Sequence, residues 1–174
     1  MTLSLVSTVT VGAGGAASIN FTGIAGTATD LLVVCSLRSN RSSVAEDGSL
    51  ISFNSSTSSF AYRALRGSGS SATSFTGTRL IGDVPASTAT SNTFANQTIY
   101  IPNYAGSANK SYSVDSVSEN NATAAWQYLI AGLWSNTSAI TSLSITPEVG
   151  SAFVQYSTIS LYTVTKGSGG ASVA

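Results

Sequence analysis

Hydroxyl and apolar residues alternate one for one along Ser142-Leu143-Ser144-Ile145-Thr146, and nearly so along Ser111 to Ser118; this period of two constrains the fold more than any other feature. Successive side chains of a strand point to opposite faces, so such a segment buries one side and wets the other only as β-structure. In the later segment Leu143 and Ile145 take the buried face and the hydroxyls the wet one. In the earlier, Tyr112, Val114 and Ser116 share one face, and Ser113, Asp115 and Val117 the other. Pro147 ends the later strand. After a Gly150 turn, Tyr156 to Val164 resumes the β-branched and aromatic residues that suit a pleated, half-buried surface.

Upstream segments repeat the pattern. Leu3, Leu5, Val9 and Val11 predict a first strand, interrupted near Ser7, that turns through Gly12-Ala13-Gly14-Gly15 into Ser18-Ile19-Asn20-Phe21 as a hairpin. Leu31 to Leu37 is apolar on both faces in its first half, as expected inside a sandwich, and places Cys35 beside Val33 and Leu37 as a small core filler. Ser39 to Gly48 reads as an exposed loop and Leu50 to Phe53 as a strand. Phe60, Tyr62 and Ala64 then face one way and Arg63 the other. Gly67 to Thr73 is a loop tip, Phe75 to Ile81 a short strand, Gly82 to Asn92 a long loop, and Thr93 to Ile101 a strand stopped by Pro102-Asn103. Ala122 to Trp134 fits two periods: helical spacing collects Trp126, Leu129, Ile130, Leu133 and Trp134, whereas period two collects Trp126, Tyr128, Ile130, Gly132 and Trp134. Strand is preferred, because both neighbours are strands and Gly132 would weaken a helix. About ten strands at this spacing predict an all-β, single-domain antiparallel β-sandwich over residues 1–165. A flexible Gly/Ser-rich tail over 166–174 is expected to follow.

Composition narrows the chemistry. Apolar residues make up 43% of the chain and charged ones 8%, so hydroxyls stand where Lys and Glu would ordinarily provide solubility. Seven basic residues cancel seven acidic ones with no basic run, which argues against a nucleic-acid partner. The N-terminus lacks the basic region and apolar core of a signal peptide, and no apolar run is long enough to span a bilayer. The Asn-x-Ser/Thr sites at Asn20, Asn40, Asn54, Asn96, Asn109, Asn121 and Asn136 are read as composition rather than glycosylation.

The chain contains no histidine, which removes Ser-His-Asp and Cys-His catalysis and the usual zinc sites. Lys110, in a polar turn, and Lys166, in the tail, are expected to be solvated and not to activate a serine. Glu46, Asp47, Asp83, Asp115, Glu119 and Glu148 are scattered without the spacing of a glycosidase pair. Asp115 and Glu119 with Asn120 or Asn121 fall short of a calcium loop. No enzyme activity, cofactor or metal is therefore expected. Trp126 and Trp134 are assigned to the core. Tyr104, with Asn103 in the loop Pro102-Asn103-Tyr104-Ala105-Gly106, is the candidate for glycan contact; Arg38, Arg41, Arg63 and Arg66 either pair with carboxylates of a neighbouring subunit or are plain solvated charges.

Tyr100-Ile101-Pro102-Asn103-Tyr104, Ser113-Val114-Asp115-Ser116-Val117-Ser118-Glu119-Asn120-Asn121-Ala122 and Gly132-Leu133-Trp134-Ser135-Asn136-Thr137-Ser138-Ala139-Ile140-Thr141-Ser142-Leu143 resemble segments of small virion structural proteins of tailed bacteriophages, especially marine and cyanobacterial phages. The closing strand Tyr156-Ser157-Thr158-Ile159-Ser160-Leu161-Tyr162 also resembles that of β-sandwich domains in phage fibres. This resemblance implies a location on the outer surface of the virion as a jelly-roll subunit in an oligomer. The expected form is a trimer that binds the shell through the loops at the sandwich ends, made in the host cytoplasm because no signal peptide is found. Its implied partner is the major capsid protein or another virion protein. The alternative is a tail fibre or receptor-binding module touching host surface glycan.

Overall fold

The computed structural model describes residues 1–120 and 125–166; the expected turn at Asn121 and the tail from 167 onward lie outside the described residues. Twelve strands and no helix are found among them: β1 (Thr2–Thr10), β2 (Ile19–Thr22), β3 (Asp30–Leu37), β4 (Glu46–Phe53), β5 (Phe60–Gly67), β6 (Ala72–Gly77), β7 (Leu80–Pro85), β8 (Ala95–Pro102), β9 (Lys110–Ser118), β10 (Trp126–Trp134), β11 (Ser142–Pro147) and β12 (Thr158–Thr165). They form an all-β sandwich of two antiparallel sheets. The larger runs β1-β12-β3-β8-β9-β10-β5-β6 and the smaller β2-β11-β4-β7.

The expected β1–β2 hairpin is not formed. β1 pairs with β12 and β2 with β11 in the opposite sheet, because Ile19 and Phe21 are buried there while β1 has no buried residue. The interruption expected near Ser7 is a register shift between Leu5 and Ser7. The stretch taken as one strand from Phe75 to Ile81 divides, β6 pairing with β5 and β7 with β4, so the chain changes sheets at Thr78-Arg79. The loops assigned to Ser39–Gly48 and Gly82–Asn92 contain the start of β4 and most of β7. Asp47 is buried there, its carboxylate accepting from the backbone N–H groups of Val149 and Gly150 at 3.2 and 2.9 Å.

From Trp126 to Trp134 the contested segment is a strand, with Tyr128, Ile130, Gly132 and Trp134 turned to the core; its first residues, 122–124, lie outside the described residues. Gly132 lies directly opposite Tyr112, whose ring occupies the space a side chain at 132 would fill. At one end of the core Phe53 meets Trp134 edge-on with centroids 5.6 Å apart, and Phe60 stacks on Trp134 at 5.9 Å. Cys35 is buried beside Val33 and Leu37, and burial pushes its thiol far above the ordinary cysteine range.

Asn54 holds the exit of β4. Its φ of +50° is a left-handed value that Asn adopts more readily than most residues, its Oδ1 accepts from the N–H groups of Thr141 and Ser142 at 2.8 and 3.1 Å, and its Nδ2 donates to Ala139 O at 2.8 Å. Asn54→Ala is expected to cost about 1–2 kcal/mol in chemical denaturation, since it strands two donors and one acceptor at a partly wet site. A loss below about 0.5 kcal/mol would mean that water replaces the amide fully.

Candidate functional site

The four-stranded sheet leaves much of the larger sheet bare. Alternate residues of the larger sheet face away from the core, and on β9, β10 and β5 these include Val117, Leu129, Leu133 and Leu65, which are 38, 55, 38 and 59% exposed. Leu129 and Leu65 are directly paired across β10 and β5, and an open trough of about 550 Å³ runs beside them past Ala131, Ser74 and Thr76. At the far edge, β1 exposes Leu3 and Leu5 at 51 and 57%. Strand pairing makes this a continuous surface; hydroxyls and alanines fill much of the space between the leucines. The directly paired Leu129 and Leu65, with the trough beside them, are the apolar centre of this face, and an exposed apolar patch is a usual mark of an interaction surface.

A second cluster lies between the sheets. Tyr128 donates to Asp83, and Arg66 lies with its guanidinium carbon 4.1 Å from the centre of the Trp126 ring and 5.5 Å from that of Phe75. Glu46 Oε1 accepts from Ser118 Oγ and Asn120 Nδ2, each at 3.3 Å, whereas its buried Oε2 meets no donor. Burial first and the charge of Asp83 second push Glu46 up to about 8, so at neutral pH it holds the proton that the orphaned oxygen needs in order to donate to Asp83. Asp83 is also raised by burial, against the lowering influence of Tyr128 and Arg66. A proton shared by two carboxylates is a usual ingredient of acid–base sites. Here, however, a neighbouring cavity of about 290 Å³, bounded by Gly67, Ser118 and Trp126, is lined by neither Glu46 nor Asp83. The pair joins β4 and β7 to the sheet opposite.

The residues singled out in the sequence do not converge. Tyr104, expected at the surface, is fully buried, and its hydroxyl donates to Ala25 O. Asn103 remains exposed at φ +49°, its backbone N–H held by Asp30 Oδ1 at 2.9 Å, so the loop presents one of the two expected contacts and hides the other. Arg38 is buried with backbone carbonyls, and Arg41 pairs within the chain with Asp47 at 3.5 Å. Arg66 is half-buried beneath Trp126, and Arg63 alone of the four lies exposed on the bare face. Lys110, expected in solvent, is 1% exposed; its ammonium donates to the carbonyls of Gly106, Ala108 and Thr137. The exposed Lys166 pairs with Asp30 at 3.4 Å. The carboxylates taken as scattered include a contacting pair, Glu46 and Asp83, that sequence spacing gave no means to join.

The chain matches no family model, no curated protein and no solved structure.

Proposed function

We propose that the protein is a non-enzymatic structural subunit of a tailed-phage virion, carried on the outer surface of the particle as a capsid decoration or surface appendage. The bare outer face of the larger sheet carries this reading. A chain with so few charges and so much exposed leucine on paired strands is best suited to life inside an assembly, where that surface is covered. The resemblance of its central and C-terminal segments to virion proteins is what supports that location.

Strand order adds support. Without the two hairpin-like pairs β5-β6 and β9-β10, the remaining strands run β1-β12-β3-β8 and β2-β11-β4-β7. Counted one to eight, these are 1-8-3-6 facing 2-7-4-5. We read this as a jelly roll, a fold frequent in viral capsid proteins, whose first sheet is lengthened by two insertions. With Tyr104 buried, a glycan-binding tail module would have to use Asn103, which stays exposed, and residues other than Tyr104.

The deciding measurement is the number of copies per purified virion, by quantitative mass spectrometry against the major capsid protein. Hundreds of copies are expected. A count of a few to a few dozen would move the protein to the tail or a vertex appendage, and its absence from purified particles would overturn the reading.

A further inference from the structure

Resting on the reading that the bare face is buried in an assembly, we infer that its occupant is a second copy of this chain, docked face to face about a two-fold axis. The charges on the face carry the choice of partner. Among the described residues only Arg63 and Asp115 are both charged and exposed at outward positions of the larger sheet's strands, and neither has an ion pair there. Register places them on opposite sides of the leucine pair. Asp115 lies across from Leu129, Leu129 across from Leu65, and Arg63 on the next outward row of β5, across from Ala131. Strand and residue spacings put the two charges about 12 Å apart.

One positive and one negative group on a surface can always be exchanged by a two-fold axis in the interface plane. Arg63 of each copy then meets Asp115 of the other, and the leucine pairs of both copies meet in the middle. Such an isologous contact leaves no like charges opposed, which a partner of arbitrary surface does not guarantee. The axis that exchanges the two charges crosses β10, third from the β6 edge, so the copies face each other over the five strands from β8 to β6. Five strands at about 4.8 Å and about eight residues at 3.3 Å give roughly 600 Å² per partner, the size of a weak, concentration-dependent contact.

Sedimentation velocity of the full chain over a concentration series tests this. The wild type is expected to form a dimer. Arg63→Asp alone or Asp115→Arg alone opposes like charges twice per dimer and should raise the dissociation constant at least about tenfold, while the double variant Arg63→Asp/Asp115→Arg restores association. Both positions are exposed, so circular dichroism and melting should stay as in wild type. Three outcomes would overturn the inference: a monomer at every concentration, a trimer, or a dimer that neither single variant weakens. A monomer present in hundreds of copies per virion would remove the self-docking and leave the structural reading standing, whereas a dimer absent from virions would do the reverse.

Discussion

Arg38→Met is expected to destabilise the protein by about 3 kcal/mol, read as a fall of roughly 6–12 °C in melting temperature. The guanidinium gathers one connection. Nη2 donates to Ala86 O and Ala89 O at 2.7 and 3.1 Å, and Nη1 to Thr90 O and Thr93 O at 2.7 and 3.1 Å. Methionine keeps most of the stem's packing but removes every donor. The contacts to Ala86 and Ala89 are buried, so those carbonyls lose a charged partner that water does not easily replace. The contacts to Thr90 and Thr93 are partly open and can be rehydrated, which is why the expected loss is well short of four full hydrogen bonds. Amide exchange should quicken in the segment from Ala86 to Thr93 before it does so in β3. Arg38→Lys should recover only part of the stability, because one ammonium cannot span the carbonyls that a planar fork reaches. A variant within about 0.5 kcal/mol of wild type would show that the segment holds its shape without the arginine.

This arginine marks where sequence reading stops. Its acceptors lie 48 to 55 residues further along the chain, and the acceptor for the Tyr104 hydroxyl is 79 residues away. A polar group satisfied at such distance cannot be told from a solvated one by local pattern, so Arg38, Tyr104 and Lys110 were all expected outside and all lie inside. Face assignment is different, because the period of two is local. Tyr112, Val114 and Ser116 on β9, and Tyr128, Ile130 and Gly132 on β10, take the side that alternation gives them. Strand partners are non-local again. Nothing near Leu3 distinguishes a hairpin with β2 from pairing with β12 more than 150 residues on, at Val164. The bare face was partly legible. β10 is apolar at both parities, Leu129 and Leu133 on one side and Tyr128 and Ile130 on the other, which fits either a strand buried on both faces or one awaiting a partner. The structure excludes the first, because the smaller sheet covers one side only and leaves Leu129 and Leu133 exposed.

Glu46→Gln is expected to flatten the pH dependence of stability between about pH 5 and 8. The folded chain holds the Glu46 proton up to about 8, whereas the unfolded chain releases it near the ordinary glutamate value of 4.5. Between those limits the native state binds more protons than the unfolded one, so stability is highest at the acidic end and declines as pH rises. Above about 8 both states are ionised, and the contribution is lost. Asp83, also raised, adds a decline of the same sign. Glu46 is only half-buried, so solvent screening discounts the full shift, leaving on the order of 2 kcal/mol for Glu46 across the window. Glutamine carries permanent amide donors where the protonated acid carries one, and its oxygen can still accept from Ser118 and Asn120. The variant should therefore match wild type near pH 5 and exceed it by about 2 kcal/mol near pH 9, in urea unfolding followed at each pH. Parallel profiles for variant and wild type would mean that Glu46 is ionised in the folded chain, and the orphaned Oε2 would then need a donor other than its own proton.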